Sequence, residues 1–239
     1  MSAPAGGRLR LDFPADHVAR LTIDNQPKRN ALDGDILEGL AEILPRLDAQ
    51  CVILAGAGTA FSAGYDISNL TPEKLADVLT HPFEAALAAV DAIEVPVIAA
   101  MNGHAFGGGL ELALACDLRV CAPTAKLGMP PARLGVVYSR SGLERFRDAI
   151  GGARTRELFL TARTLSAQEA LQWGLVNELS DDVPSRALEL AAHLTTLSPL
   201  SLRGTKAVLG GAPDEPLRAE AFASEDFAAR VRAFLSRPA

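Results

Sequence analysis

Apolar and polar positions change period along this chain, and the changes mark out its elements. Residues 9–13 and 18–23 alternate apolar with polar around a Pro-Ala-Asp turn, which predicts an opening hairpin. Ile36, Leu37, Leu40, Ile43, Leu44 and Leu47 then recur at helical spacing behind Asp33, a residue that can cap a helix start. That helix is expected to run to about Ala49, kinked or shortened by Pro45. Residues 51–55 have the length and continuity of a buried strand, and 56–70 follow as a loop rich in small side chains. The segment 72–93 is helical in composition, with an interruption expected at His81-Pro82. Residues 95–100 and 118–121 are two more short apolar runs that predict buried strands. Several short helices are expected across 143–173 and an edge strand over 174–179. Helices follow from Pro184 onward, broken near Pro199, Gly210-Gly211 and Pro213. Strands and helices alternate early and helices dominate late, which predicts an α/β fold with a helical C-terminal region.

One stretch between two of those strands breaks the pattern. After a turn at Asn102-Gly103 come three glycines, Gly107 to Gly109, and then 110–116, apolar except at Glu111. Glycines let a backbone approach a ligand where a side chain would block it, and free amides at a helix start favour negative charge. A carboxylate one turn into a helix that is apolar on every face is either paired or has chemistry to do. Leu110-Glu111 stands where a P-loop needs Lys-Ser/Thr. Phe61 stands where a dinucleotide fingerprint starting at Gly56 needs its last glycine, and there is no G-x-S-x-G elbow. Two readings of the glycines stay open: an oxyanion hole with its donor at a helix N-terminus, or close helix packing. Glu111 is likewise either a buried structural acid or a catalytic one. Taken alone, residues 63–66 are an ordinary tight loop and Lys28-Arg29 a solvated surface pair.

Composition removes several function classes. A formal charge of −6 over 239 residues gives no general attraction to nucleic acid or to anionic lipid. No apolar run approaches the roughly 20 residues that span a bilayer, and the first ten residues lack a signal-peptide core. Cys51, Cys116 and Cys121 lie in apolar segments without C-x-x-C spacing, so buried reduced thiols and a cytoplasmic location are expected. The four histidines show no metal-ligand spacing, and no metal is expected.

NQPKRNAL (25–32), FSAGYDI (61–67), VPVIAAMNGHAFGGGLELALACD (95–117) and LSAQEALQWGLVNEL (165–179) together resemble the crotonase (enoyl-CoA hydratase/isomerase) superfamily in order and spacing. The resemblance covers nearly the whole chain. It implies a ββα spiral core over 1–185 and a C-terminal helical region over 186–239 that serves trimerisation. It also implies a homotrimer or a dimer of trimers. The ligand it implies is an acyl-CoA thioester, with coenzyme A part of the substrate and no permanently bound cofactor. Matched motif to motif, the backbone N–H groups of Tyr65 and Gly108 would hold the thioester oxygen, and Glu111 falls on the first of two catalytic glutamates. Lys28, Arg29, Ala31, Ala63 and Asp66 would line the coenzyme A side, and Arg237 falls near a family lysine that reaches coenzyme A from the last helix. The second glutamate falls at Pro131, which has no proton to move, so hydration by paired carboxylates is in doubt. Around that gap PPARLGVVY (130–138) resembles methylmalonyl-CoA decarboxylases, which carry a tyrosine at the position of Tyr138. Those enzymes place a histidine where Tyr65 stands. The resemblance tilts the expected reaction toward decarboxylation of a malonyl-type ester, ahead of enoyl-CoA hydration or isomerisation. Tyr138 would orient the substrate carboxylate, or else only cap a turn before Ser139. A non-catalytic acyl-CoA binder is the alternative from another class, and an RNA-binding relative is disfavoured by the acidic charge.

Overall fold

A computed structural model describes residues 8–67 and 72–236, with backbone only over 72–81. In chain order its strands are β1 (Leu9–Ala15), β2 (Val18–Ile23), β3 (Cys51–Gly56), β4 (Ala60–Ser62), β5 (Val97–Met101), β6 (His104–Phe106), β7 (Leu118–Cys121), β8 (Lys126–Gly128), β9 (Thr164–Ser166) and β10 (Glu178–Leu179). The helices are α1 (Gly34–Ile43), α2 (Pro72–Ala92), α3 (Gly108–Ala115), α4 (Arg140–Thr161), α5 (Ala167–Trp173), α6 (Val183–Thr195), α7 (Pro199–Leu209), α8 (Asp214–Ala223) and α9 (Glu225–Leu235).

Six strands form one sheet in the order β1-β2-β3-β5-β7-β10, antiparallel at the opening hairpin and parallel thereafter. Its inner face, with Leu21, Leu54, Val97 and Ala99, packs into the main core with α1, α2 and α3. Its outer face, with Val18, Ile53, Ile98 and Val120, is covered by Val183, Ala187, Ala191 and Leu194 of α6. A parallel sheet buried on both faces needs continuous apolar strands rather than alternating ones. That is why β3 and β5 are legible as short apolar runs.

The second sheet, β4-β6-β8-β9, contains no strand that the apolar pattern predicts. Each member is three residues long, too short to display a period; β4 lies in a stretch that reads as loop and β9 in one that reads as helical. The chain leaves β3, β5 and β7 of the large sheet and enters β4, β6 and β8 of the small one within a few residues. Gly103 makes one of these corners possible, since a methyl group there would collide with the Thr59 carbonyl. A helix follows each pair, so the repeated unit is the ββα step the family resemblance implies.

Helix boundaries follow capping chemistry. Asp33 accepts from the Ile36 amide and starts α1, which gives way at Leu44 to a short 3₁₀ turn over Pro45. One expectation needs correction. The helix α2 runs through Pro82 without the expected interruption, its C-terminal half anchored by Phe83, Ala86, Leu87 and Val90 in the core. Tertiary burial there outweighs the one hydrogen bond a proline removes. Residues 140–161, labelled α4, are two helices parted at Gly151, whose φ 76° and ψ 159° are not helical, and with α5 they make up the short helices expected over this region. The expected domain boundary after 185 falls inside α6. Beyond it α7, α8 and α9 bury no residue completely. Lys206 ties α7 to the body through Asp117 (2.8 Å) and the Val95 carbonyl (3.1 Å). Among the described residues no helix is long and apolar enough to cross a membrane.

Candidate active site

Two loops meet first. Arg29 and Asn30 both adopt left-handed backbone angles, φ 52° and 57°, a conformation asparagine tolerates better than most residues. The buried Asn30 side chain donates to the Ala57 and Ala60 carbonyls at 2.8 and 2.7 Å and accepts from the Asn25 amide at 3.0 Å. Ser62 Oγ donates to the Asn30 carbonyl, and the Ala63 amide to the Arg29 carbonyl. Lys28 reaches across to Asp66 at 2.7 Å. Lys28, Arg29, Ala31, Ala63 and Asp66 are therefore brought into one structure, with Ala31 buried and Ala63 exposed.

That clasp fixes the backbone at Tyr65. Leu32 bonds to the Gly64 carbonyl and accepts from the Asp66 amide, both at 2.8 Å, so the intervening Tyr65 amide points to the opposite side. Gly64 has φ 96°, and a methyl group on it would press on the Phe106 carbonyl at 2.6 Å and stand 3.3 Å from the Gly108 nitrogen. Only glycine fits there.

On the opposite side α3 begins. Gly107, φ 52°, donates to the Gly128 carbonyl and accepts from Leu110 and Glu111 with its own, which joins the helix start to β8. Gly109 is a close-packing glycine, since a methyl group on it would lie 2.6 Å from Ser62 Cβ. Gly108 differs. A methyl group on it would stand 3.6 Å from the Tyr65 nitrogen and 3.1 Å from the Phe83 ring. Among the described residues neither the Tyr65 nor the Gly108 amide has an acceptor. Two unspent donors, one of them at a helix N-terminus, thus border one small space, an arrangement suited to a developing negative charge.

One turn into the same helix, Glu111 is 2% exposed, the one buried carboxylate among the described residues. Tyr138 donates its hydroxyl hydrogen bond to Glu111 Oε2. Burial pushes the Glu111 carboxyl above its ordinary value. The Tyr138 bond and the Arg145 charge oppose this, while Asp91 and Glu84 add to it. Burial, followed by the neighbouring Glu111 charge, holds the Tyr138 phenol well above its usual range. Arg145 is engaged by both oxygens of Asp91 at 2.9 and 2.7 Å.

Tyr65, Gly108, Glu111 and Tyr138 are each placed in or beside this site. Tyr138 does not cap the following helix; Ser139 does, accepting from the Gly142 amide at 3.1 Å. Pro131 is buried in a 3₁₀ turn. Arg237 lies outside the described residues. Sequence reasoning missed Asn25, Asn30 and Ser62, which build the clasp, and Phe83, Gly142 and Arg145, which surround the donors and the acid. The left-handed preference of asparagine was a usable signal for Asn30; the others carry no local one. Among the described residues no three His, Cys, Asp or Glu side chains gather to hold a metal ion.

Comparison with known proteins agrees with this architecture. Residues 15–228 match the family model described as enoyl-CoA hydratase/isomerase. The chain is 37% identical over 210 residues to YngF of Bacillus subtilis, which carries an enoyl-CoA hydratase/isomerase name, covering 84% of this chain and 81% of that one. It is 34% identical over 208 residues to a carnitinyl-CoA dehydratase of Salmonella agona, covering 84% and 79%. The crystal structure of an enoyl-CoA hydratase from Bacillus anthracis superimposes with a TM-score of 0.88 at 30% identity, covering 95% of each chain. With the family model matched over residues 15–228 and relatives more than 30% identical over most of its length, this chain belongs to the enoyl-CoA hydratase/isomerase, or crotonase, family.

Proposed function

We propose that the chain binds an acyl-CoA thioester along the clasp of residues 25–32 and 62–66 and works at its α-carbon through an enolate. The Tyr65 and Gly108 amides hold the thioester oxygen, and Glu111 moves the proton. One observation carries this reading: two backbone donors from separate loops, without acceptors among the described residues, converge at the start of the helix that bears a buried carboxylate. Loss of an α-proton moves charge onto the thioester oxygen, so fixed donors there stabilise the transition state more than the ground state. A carboxyl whose proton affinity is raised by burial is better matched to a weakly acidic carbon than a solvated one.

Among reactions open to such a site, a double-bond shift in an enoyl-CoA fits best. One carboxylate can take a proton from C2 and return it to C4 of the dienolate, so no second acid is required at Pro131. Decarboxylation of a malonyl-type ester is the second reading, favoured by the missing carboxylate at Pro131. Against it, the Tyr138 proton is already given to Glu111, and an ionised Glu111 would face a substrate carboxylate with like charge. Coenzyme A enters as part of the substrate. Apolar residues left exposed on the last helices, among them Leu209, Phe222 and Phe234, suit the trimer that the family resemblance implies.

The test is turnover of 3-hexenoyl-, crotonyl- and methylmalonyl-CoA, read by mass spectrometry and by the absorbance of the conjugated thioester. Conjugation of the 3-enoyl ester supports the reading, and loss of CO₂ from methylmalonyl-CoA alone replaces it with the second. Binding of all three without conversion leaves a non-catalytic acyl-CoA binder.

A further inference from the structure

We propose that Tyr138 is a positioning residue: its phenol holds Glu111 by Oε2, with the other carboxylate oxygen lying over the bare Cα of Gly142. This rests on the proton-transfer role proposed for Glu111 and assigns Tyr138 to that acid rather than to the substrate.

Three contacts fix the phenol. Its hydroxyl donates to Glu111 Oε2. Its ring lies 5.2 Å from that of Phe159, which in turn packs edge-on against the buried Phe146 at 5.0 Å. The next residue, Ser139, caps α4 through the Gly142 amide, so the backbone at 138 is tied to a helix start. The ring therefore cannot swing away without disturbing an aromatic cluster and a cap.

Gly142 supplies the space. A methyl group on it would stand 2.5 Å from Tyr138 Cε1 and 2.8 Å from Glu111 Oε1. Its backbone is helical, so glycine is not needed for conformation there, and what the position requires is room. The segment 138–142 thus provides the donor, the cap that anchors it and the gap into which the acid fits.

The charged groups around Glu111 do not replace this donor. Arg145 comes from the next turn of α4 and already holds Asp91 of α2 with two hydrogen bonds. Asp91 and Glu84, both on α2, carry charge of the same sign as Glu111. Among the described residues the phenol is the group that bonds the Glu111 carboxylate directly, and a donor to the ionised form favours ionisation.

The experiment follows deuterium uptake at the α-carbon of butyryl-CoA in D₂O by mass spectrometry, across pH, for wild type, Tyr138→Phe, Gly142→Ala and Glu111→Gln. Phenylalanine keeps the ring against Phe159 and loses only the donor. Its acid limb should move upward by about one pH unit, with kcat reduced and KM retained. Gly142→Ala should lower kcat by displacing the pair while the phenol is still present, and it carries the proposal if Tyr138→Phe does not fold. An acid limb in Tyr138→Phe that coincides with wild type, or a Gly142→Ala enzyme with wild-type kcat, overturns the proposal while leaving Glu111 in place. Glu111→Gln exchanging at the wild-type rate, or wild type leaving butyryl-CoA unexchanged, overturns the proton-transfer reading itself.

Discussion

The two sheets are held together by opposite means. In the six-stranded sheet Leu21, Leu54 and Ile98 are buried by neighbours on both faces, and stability comes from side chains removed from water. Around the four-stranded sheet the close approaches are of glycines, Gly64 to the Phe106 carbonyl, Gly103 to the Thr59 carbonyl and Gly109 to Ser62, at distances no added methyl group could share. The first sheet is a support that tolerates changes of shape at a cost in stability. The second brings amide groups to the proposed oxyanion position, and there an added atom is the damage.

The largest expected effect lies at the end of that second arrangement. Gly108→Pro and Gly108→Ala both put a carbon against the Phe83 ring, but only proline removes the N–H. Proline is compatible with the first position of a helix. Its kcat should fall a further 10²–10³-fold, roughly, below that of the alanine variant, the worth of one oxyanion donor. Equal kcat values in the two would mean that the amide is not used.

Paired substitutions sharpen the contrast between the sheets. Leu54→Ala should cost about 2–5 kcal/mol in denaturant unfolding and leave kcat of the folded enzyme near wild type. Gly103→Ala drives a methyl group at the Thr59 carbonyl and should cost about 1–3 kcal/mol. Because Gly103 leads into β6 and on to Gly107, it should lower kcat as well. Finding that Leu54→Ala alone loses kcat would reverse the assignment.

Glu111→Gln separates function from stability at one residue. Burial raises the native pKa of Glu111 above its unfolded value, so between the two values the folded chain binds more protons and loses stability as pH rises. The glutamine variant should therefore melt higher than wild type at neutral pH. The advantage should vanish below the ordinary carboxylate range, where both are uncharged. A variant that melts lower than wild type at every pH would make Glu111 a structural acid.

The smallest effect is a null one. Burial pushes Cys51, Cys116 and Cys121 up to about 12, so a thiol reagent at neutral pH should find none in the native chain and all three after unfolding. Titration of a native thiol would show that the sheet around it opens.

Legibility in the sequence follows the same division. The strands of the large sheet are readable because burial on both faces demands runs such as 51–55, and α1 because Asp33 and Pro45 punctuate it. Lys126–Gly128 and the other three strands of its sheet are invisible because three residues hold no period and their pairing is with segments far along the chain. Pro82 misleads because burial of its neighbours overrides a local penalty. Within the site, Glu111 stands out as the one charge in an apolar helix. The significance of Tyr65 and Gly108 comes from family motifs, since an amide leaves no mark in the residue type. The bond between Tyr138 and Glu111 joins residues 27 apart in sequence and has no local signature at all.

The central claim is that two backbone amides polarise a thioester carbonyl. It is tested most directly by the infrared stretch of butyryl-CoA labelled with ¹³C at the carbonyl, free and bound. The account predicts that the band moves to lower frequency on binding wild type and that most of the displacement is lost in Gly108→Pro but kept in Gly108→Ala. A bound carbonyl at its free frequency, or one displaced equally in both variants, would contradict it.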